Sequence, residues 1–376
     1  MKLKVVHVIV GLGVGGAENM LLRLLAAMDR EKFQTEVISL TDEGQLGSKI
    51  TALGIPVHAM GMQPGKVSLN DFTRLTRLLR KLQPDCVQTW MYHADLIGGI
   101  ASKLAGVKKI VWNIRCSRLT KEDTSRSTLL LANLCAKLSR WAPNQIICCS
   151  EASRVTHTEL GYDTYKMRVI PNGYDLTAFK PFPFARDEVR NELGLPHETP
   201  LIGLVARFDP LKDHLNFVEA ATILSKIRND VQFVLCGSEI TKQNAKLFSW
   251  IEGRGLTDKF HLLGRREDVP RLNAAMDVAS CSSFSEGFPN VIAEAMACGT
   301  PCVVTDAGDS ALIVGNTGYV VPVRDPRKLA EGWEKMLALS HQERHNLGAQ
   351  GRSRVEEMFE IGIIAKQYEE LYEQNS

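Results

Sequence analysis

Short, nearly continuous runs of β-branched residues alternate with amphipathic segments along the chain. The first run covers residues 4–10, and a glycine-rich turn and an amphipathic segment over 17–28 follow it. Strands of parallel sheets are buried on both faces and have this composition, while the helices that connect them have the amphipathic period. The sequence therefore predicts an α/β fold built on parallel sheets.

The alternation occurs twice, and 376 residues exceed what one hydrophobic core normally serves. We therefore predict an N-terminal domain over residues 1–178, a C-terminal domain over 179–355 and a final segment, 356–376, whose helix packs back on the N-terminal domain. Ligands of open parallel sheets bind at the carboxyl ends of the strands. We expect two Rossmann-like, doubly wound domains that face each other across a ligand-binding cleft.

The predicted strands of the first domain, after the run at 4–10, are 35–40, 86–89, 109–113 and 145–149. Those of the second domain are 201–206, 231–237, 259–263, 278–281 and 301–305. The tail over 355–372 is predicted to be a single amphipathic helix.

Charge is distributed unevenly between the two halves. Residues 1–178 contain 23 Lys or Arg and 15 Asp or Glu (+8), whereas the remainder contains 22 and 28 (−6), within a net charge of +2. The basic half predicts an acidic partner. Because the basic residues are scattered, with no zinc-finger or RNA-binding pattern, we expect no nucleic acid but an anionic lipid surface or a phosphorylated acceptor.

The sequence also bears on the compartment. Nine cysteines form no C-x-x-C pair, which is typical of reduced thiols, and no apolar stretch reaches the ~18–20 residues of a membrane-spanning helix. The N-terminus enters a strand directly, so we expect a cytoplasmic protein. One predicted helix has a basic face opposite apolar residues, formed by Arg74, Arg77, Arg80 and Lys81. This face is either simply solvated, with the apolar side in the core, or it contacts the anionic inner membrane.

A glycine cluster follows the first predicted strand. Gly11, Gly13 and Gly16 match G-x-G-x-x-G, and their backbone amides are placed to hold a pyrophosphate at the start of a helix. Asp42 lies just beyond the second strand, where a dinucleotide ribose needs a carboxylate. A nicotinamide-dependent dehydrogenase and a purely structural turn are therefore both alternatives for this cluster.

A segment over residues 285–301 places two glutamates, Glu286 and Glu294, around a predicted helix start at Pro289. The first amides of such a helix are free to bind a phosphate, and carboxylates accept hydrogen bonds from sugar hydroxyls. Glu294 lies inside an otherwise apolar helix and needs a polar partner. For Glu286, a solvated loop charge is the alternative.

Two cations leave the first strand of the second domain on one loop. Arg207 and Lys212 are five residues apart, a spacing that allows a guanidinium and an ammonium to converge on one diphosphate. We predict that they bind the same ligand as the glutamate segment, although isolated cations are more often ordinary surface charges.

These segments together closely resemble the retaining, nucleotide-sugar-dependent glycosyltransferases of family four, or group 1 type, which have the two-domain GT-B fold. The resemblance covers almost the whole chain. It includes the Gly-Gly-Ala-Glu turn at 15–18, the Ile-Pro-Asn-Gly-Tyr-Asp linker at 170–175 and the Leu-Gly-Arg-Arg-Glu-Asp segment at 263–268. Its most specific part is the glutamate segment that ends in Gly-Thr-Pro.

The resemblance implies roles for particular residues. Glu294 corresponds to the residue that binds the ribose hydroxyls, Glu286 to the one that approaches the transferred sugar, and Gly16 to the glycine of the loop that closes over the phosphate. Arg207 and Lys212 correspond to the diphosphate clamp. The implied donor contacts are Gly15, Gly16, Arg207, Lys212, Leu263, Gly287, Phe288, Pro289, Asn290, Val291 and Glu294.

One position departs from the family pattern. Many relatives carry a His at the end of the fourth strand of the N-terminal domain, where this chain has the sequence Val-Trp-Asn-Ile-Arg-Cys over 111–116. Asn113 or Arg115 is a candidate substitute, and His93, after the preceding strand, is a candidate for sugar or acceptor binding, although a lone His is more often structural.

The family and the residues together predict a metal-independent reaction without a cofactor beyond the donor. The chain lacks an Asp-x-Asp motif that would hold a divalent ion against phosphates, and Arg207 and Lys212 supply the compensating charge instead. Family frequency favours a UDP-sugar donor, and the expected acceptor is a saccharide or lipid-linked saccharide of surface polysaccharide or O-antigen synthesis. A nucleotide-binding module without catalysis is a further alternative.

Overall fold

The computed structural model describes residues 2–63, 65, 68–117, 119 and 124–374, and the chain forms two compact units. The N-terminal unit comprises Met1–Gly173 and Ile361–Ser376, and the C-terminal unit comprises Tyr174–Glu360. The chain therefore passes between the units after residues 173 and 360, whereas the sequence predicted the limits after residues 178 and 355.

The N-terminal unit contains a seven-stranded parallel sheet in the order β3-β2-β1-β4-β5-β6-β7. Its strands are β1 (Leu3–Ile9), β2 (Phe33–Ser39), β3 (Val57–Ala59), β4 (Cys86–Trp90), β5 (Lys109–Ile114), β6 (Gln145–Cys148) and β7 (Met167–Val169). The helices among them are α1 (Gly16–Ala27), α2 (Gly47–Ala52), α3 (Leu69–Leu82), α4 (Met91–Ala105), α5 (Arg126–Leu138) and α6 (Glu151–Glu159).

The β-branched composition of β1 follows from burial on both faces. Val5 and Ile9 pack in one apolar core with α1, whereas Val6 and Val8 pack in a second core with α3, α4 and α5. Alternate residues of one strand thus supply two cores, one on each side of the sheet. Such a strand has no solvated face, which explains the continuous apolar run.

The C-terminal unit contains a six-stranded parallel sheet in the order β10-β9-β8-β11-β12-β13. Its strands are β8 (Leu201–Val205), β9 (Gln232–Cys236), β10 (Phe260–Leu262), β11 (Val278–Cys281), β12 (Cys302–Thr305) and β13 (Gly318–Val321). Its helices are α7 (Ala185–Leu193), α8 (His214–Ile227), α9 (Ala245–Glu252), α10 (Val269–Ala275), α11 (Asn290–Ala297), α12 (Ser310–Val314), α13 (Pro326–Ala338) and α14 (His341–Met358).

A buried ion pair fixes the amino end of this second sheet. Asp277, immediately before β11, accepts hydrogen bonds from Arg190 of α7 at 2.6 Å, from Arg186 at 2.7 Å and from the Leu201 amide at 2.8 Å. Removing one partner of such a pair typically costs about 3–5 kcal/mol, because it leaves a buried charge uncompensated. These bonds therefore connect α7 and the start of β8 to the start of β11.

The tail is two helices rather than the single helix predicted over 355–372. α14 ends at Met358, and α15 covers Ile361–Glu373. The break coincides with the passage from the C-terminal to the N-terminal unit, where the Phe359 carbonyl accepts a hydrogen bond from the Tyr174 amide at 2.9 Å. α15 buries Ile364, Ala365, Tyr368, Leu371 and Tyr372 in the core that contains Val5 and Ile9.

The predicted α/β class with two parallel sheets is confirmed. None of the nine cysteines, all of which lie in the described part of the chain, forms a disulfide, and all but Cys116 are buried. Within the described ranges, no helix combines the length and the apolar character needed to cross a bilayer.

Candidate active site

Two loops of the C-terminal unit meet where the strand order of its sheet reverses. β8 pairs with β9 on one side and with β11 on the other. The loop after β8 carries Arg207 and Lys212, and the loop after β11 carries Glu286. Because ligands of open parallel sheets bind outside the carboxyl ends of strands at such a reversal, these loops form the candidate donor site.

Glu286 and Lys212 form an ion pair across the two loops. Lys212 Nζ lies 2.5 Å from Glu286 Oε1, and the exposed fraction of the two side chains is 20% and 10%. Ser283 Oγ donates to the same carboxylate oxygen at 2.6 Å, and Ser282 Oγ donates to the Lys212 carbonyl at 2.8 Å. The Glu286 carboxylate is therefore mostly buried and bound by Lys212 and Ser283. The alternative interpretation of Glu286 as a solvated loop charge is wrong.

Arg207 is held by a different carboxylate. Its guanidinium donates to Asp209 Oδ2 at 2.9 and 3.1 Å, while 65% of its side chain remains exposed. Burial opposes ionisation of Asp209, but hydrogen bonds from the Leu211 amide and from Arg207 hold its pKa below the ordinary value. Arg207 and Lys212 thus share a loop, and a diphosphate that binds both must compete with two carboxylates.

Helix α11 starts beside this ion pair. It begins at Asn290, with Pro289 at the N-cap position in extended conformation, one residue before the first turn in which it was expected. The first amides of a helix have no acceptor within the helix and can bind an anion. The buried Tyr174 donates its hydroxyl hydrogen to Asn290 Oδ1 at 2.7 Å, so the linker segment fixes the first residue of α11.

The turn after β12 supports the Glu286 loop from behind. The Asp309 amide donates to the Gly287 carbonyl at 3.0 Å. Gly308 has φ +59°, and a Cβ there would lie 2.4 Å from the Glu286 carbonyl oxygen. Only glycine fits this close approach, so the backbone of the glutamate loop is fixed before any ligand arrives.

Glu294 lies within α11 and is half-buried, whereas its neighbours Ala293 and Ala295 are buried. Burial and the nearby Glu294 carboxylate raise the pKa of Cys298 to about 12. Among the other predicted donor contacts, Leu263 follows β10, Gly287 and Phe288 lie in the Glu286 loop, and Val291 lies in the first turn of α11. The structure thus places these predicted residues of the C-terminal half in loops and one helix at the carboxyl edge of one sheet.

The predicted residues of the N-terminal half lie in the other unit. Gly15 is the N-cap of α1 and Gly16 its first residue. The Glu18 carboxylate covers Gly15 so closely that a Cβ there would lie 2.3 Å from Glu18 Oε2. Burial raises the pKa of Glu18, against its own backbone amide and the nearby Arg115 charge. An anion reaches these amides only beside Glu18 or in its place.

Arg115 and His93 follow neighbouring strands, β5 and β4. The Arg115 guanidinium lies 5.4 Å from the Trp90 ring centroid and donates to Asn172 Oδ1. His93 is an exposed residue in the first turn of α4, and partial desolvation lowers the pKa of its imidazole. At the carboxyl edge of the N-terminal sheet, His93 is thus exposed and Arg115 is half-buried.

Asn113 does not share this position. Its side chain is fully buried and donates to the Tyr368 hydroxyl of α15 at 3.2 Å. A residue with no exposed surface has no access to a sugar, so the structure gives Asn113 a packing role between β5 and the final helix. Of the two candidate substitutes for the family's His, only Arg115 keeps part of its surface exposed.

Three side chains that hold the site together were not predicted from the sequence. Asp209, Ser283 and Tyr174 bind Arg207, Glu286 and Asn290, respectively. Asp209 and Ser283 lie within three residues of their partners, so that proximity was an available signal. Tyr174 belongs to the linker motif, but no sequence pattern connects that motif to a helix more than a hundred residues later.

Two family models match the chain. "Glycosyltransferase Family 4" matches residues 14–178, and "Glycosyl transferases group 1" matches residues 185–354. A UDP-Gal:alpha-D-GlcNAc-diphosphoundecaprenol alpha-1,3-galactosyltransferase of Escherichia coli is 28% identical over 335 residues, which are 86% of this chain and 85% of that protein. An N,N'-diacetylbacillosaminyl-diphospho-undecaprenol alpha-1,3-N-acetylgalactosaminyltransferase of Campylobacter jejuni is 24% identical over 353 residues, 90% of this chain and 91% of that protein.

A solved structure also resembles this chain. The Anabaena HepE protein in complex with UDP has a TM-score of 0.86 and 24% sequence identity, and the match covers 99% of each chain. At this level of identity the likeness concerns the fold. It agrees with the two parallel sheets described above and identifies them as a GT-B fold.

Proposed function

Since the chain belongs to the group 1, family-four glycosyltransferases, we propose that it moves a sugar from a UDP-sugar to a saccharide or lipid-linked saccharide, with retention of anomeric configuration. The Lys212–Glu286 pair beside the start of α11 carries this proposal. The two bacterial relatives are named for diphosphoundecaprenol-linked acceptors, and the HepE protein is named in complexes with UDP and UDP-glucose. These names support the acceptor and donor classes, in surface polysaccharide or other glycoconjugate synthesis.

The chemistry of the site suits a leaving diphosphate. Breaking the bond between the anomeric carbon and the phosphate oxygen develops negative charge on that oxygen. Arg207, Lys212 and the first amides of α11 would stabilise this charge, and they act most strongly in the transition state, where the charge is larger. In the free protein Glu286 orients Lys212, and the bound diphosphate then replaces Glu286 as the ion-pair partner of Lys212.

For retention, we propose attack of the acceptor hydroxyl on the same face that the diphosphate leaves. The bond from the anomeric carbon to the phosphate oxygen breaks, the bond to the acceptor oxygen forms, and the departing phosphate oxygen takes the acceptor proton. The family resemblance supports this route. It requires no second carboxylate as a covalent nucleophile.

Donor turnover separates the candidate functions. Purified protein is incubated with UDP-, GDP- and ADP-sugars, and release of the nucleoside diphosphate is measured. Because water takes the sugar when no saccharide acceptor is present, a glycosyltransferase is expected to release the nucleoside diphosphate from donors of one nucleotide class, and UDP is the expected product. A dinucleotide-dependent dehydrogenase would instead change nicotinamide absorbance with its substrate, and a non-catalytic module would bind UDP without turnover; either result would overturn the proposal.

Activity is expected to survive excess EDTA, because Arg207 and Lys212 supply the positive charge that a divalent ion supplies in metal-dependent transferases. The measurement is the initial rate of UDP release with EDTA and after addition of Mg²⁺ or Mn²⁺. Equal rates are the predicted result. A rate that falls with EDTA and returns with Mn²⁺ would contradict it.

A further inference from the structure

A cavity of about 670 Å³ lies at the amino edge of the C-terminal sheet. Two of its lining residues, Asp277 and Pro301, come immediately before the parallel strands β11 and β12. The loops that carry Lys212 and Glu286 instead follow the carboxyl ends of β8 and β11. The cavity and the candidate donor site therefore lie at opposite edges of the same sheet. The volume of the cavity is typical of those that bind small organic molecules, about 300–1,000 Å³.

One side of α14 forms a wall of this cavity. The lining residues of the helix recur at spacings of three and four, which places them on one side, and they are His341, Arg344, His345, Ala349, Arg352 and Ser353. The helix lies close to the turn that follows α11, because a Cβ on Gly348 would lie 2.0 Å from the Gly299 carbonyl oxygen. Only glycine permits this contact, so the wall is fixed in position against that turn.

Backbone carbonyls and a carboxylate hold the three arginines that line the cavity. Arg344 donates through Nη1 to two carbonyls at the end of α13, and Arg352 donates to the last carbonyl of α11. Arg186 of α7 donates through Nη1 to Asp277 at 2.7 Å. A guanidinium has five N–H donors, more than these contacts use. The three side chains are therefore fixed in position and still able to donate to a ligand.

The wall of the cavity carries more positive than negative charge. Its basic and acidic side chains are three arginines, two histidines and one carboxylate, Asp277, which also binds the buried Arg190 at 2.6 Å. Neighbouring carboxylates have partners of their own: Glu356 binds Arg352, Asp187 and Glu198 bind His197, and Glu343 caps α14 through Ser340. Among the described residues Arg344, by contrast, binds only carbonyl groups. Its charge is therefore available to an anion.

We propose that this cavity is a second ligand site, which binds a small organic molecule through a phosphate monoester placed against Arg344 and the two histidines. Guanidinium groups bind phosphate oxygens as bidentate donors, and imidazoles add further N–H donors. Phe182, Pro183 and Met276 line the same cavity and supply an apolar surface for the organic part of the ligand. The site is distinct from the donor site and does not depend on the proposed function.

The test is calorimetric titration of the whole protein with glucose 6-phosphate as the probe, both without UDP and with UDP in excess to fill the donor site. The wild type is expected to bind the probe in both titrations. Glucose, which lacks the charge, and inorganic phosphate, which lacks the organic part, are each expected to bind about tenfold more weakly or less.

Two variants of α14 act on the cavity in different ways. Ala349→Phe places an aromatic ring in the cavity, and His345→Glu places a negative charge beside the phosphate; each is expected to weaken binding of the probe about tenfold or more. Both positions are exposed, so the midpoint of thermal unfolding should stay at the wild-type value. Gln350→Phe is the matched control, because it adds the same ring at an exposed position of α14 that does not line the cavity. It should bind the probe like the wild type.

Absence of probe binding by the wild type, or wild-type affinity in both Ala349→Phe and His345→Glu, would overturn the proposal. Displacement of the probe by UDP would overturn it too, since the two ligands would then share the donor site. Equal affinities for glucose 6-phosphate and inorganic phosphate would show an anion site without recognition of an organic part, which also contradicts it. A wild type that binds the probe but releases no UDP from any donor would refute the proposed function and leave this site standing.

Discussion

Glu286→Ala is expected to lower kcat by about 100- to 1,000-fold, the loss typical when one charged or hydrogen-bonding group is removed beside a breaking bond. In the free protein Glu286 binds Lys212 at 2.5 Å. Its removal also frees an ammonium that a diphosphate needs, so the affinity for free UDP should stay at the wild-type value or rise. A catalytic loss without a loss of nucleotide affinity is the signature of this role.

Steady-state kinetics with the preferred donor measure this effect. Glu286→Gln is the second variant, because an amide oxygen can still accept the hydrogen bond from Ser283 but no longer neutralises Lys212. Glu252→Ala, at an exposed position of α9, is the control and should keep the wild-type kcat. A Glu286→Ala protein with wild-type kcat would exclude a role for this carboxylate near the transferred sugar.

Glu294→Ala is expected to weaken nucleotide binding by about 1.5–3 kcal/mol, or roughly 10- to 150-fold, if its carboxylate accepts hydrogen bonds from the ribose hydroxyls. That contact is the same in the ground state and the transition state, so KM for the donor should rise and kcat should change little. Glu294→Gln retains an acceptor without the charge and should lie between the wild type and the alanine variant.

Thermal unfolding separates binding from folding in this experiment. Glu294 is half-buried in an otherwise apolar helix, so alanine there should leave α11 intact. Added UDP should then raise the midpoint of wild-type unfolding more than that of Glu294→Ala, since a ligand that binds only the folded state stabilises it in proportion to its affinity. A variant with the wild-type KM and the wild-type shift would exclude the ribose contact.

The fold was predictable because the chain alternates between β-branched runs, which are typical of buried strands, and segments with the amphipathic period of helices. β1 supplies two cores through alternate residues, and that arrangement requires the β-branched run seen at residues 4–10. The short strands β3, β7 and β13 were not predicted, since each has only three or four residues and partly exposed positions. The break at 359–360 was missed because the apolar pattern continues across it, whereas the backbone turns there to change units.

The family and the loop positions of Arg207, Lys212 and Glu286 were predictable from motifs, and the family assignment is confirmed by the two matching models. Which carboxylate pairs with which cation was not predictable from the motifs. Nothing in the sequence distinguishes Asp209 from Glu286 as the partner of Lys212, because that choice depends on how the loops after β8 and β11 meet. The burial of Asn113 was not predictable either, because it depends on a contact with Tyr368, which lies 255 positions away in the sequence.

The exposed side of α5 shows a further limit of sequence reasoning. The segment contains three consecutive leucines, Leu129–Leu131, which read as core residues in any helical pattern. Only the packing of Ala132, Cys135 and Ala136 against the sheet shows that Leu130 faces outward. Small residues on the inner side allow a helix to lie close to its neighbours and leave its larger residues outside.

Calorimetric titration of UDP into the wild type, Glu286→Ala and Glu294→Ala tests the central claim most directly, that a nucleotide diphosphate binds beside α11 with the two glutamates at different parts of the donor. The account predicts heat of binding for the wild type, a dissociation constant for Glu286→Ala equal to or below the wild-type value, and one for Glu294→Ala that is roughly 10- to 150-fold higher. Equal losses of affinity in both variants, or no binding of UDP, GDP or ADP by the wild type, would contradict it.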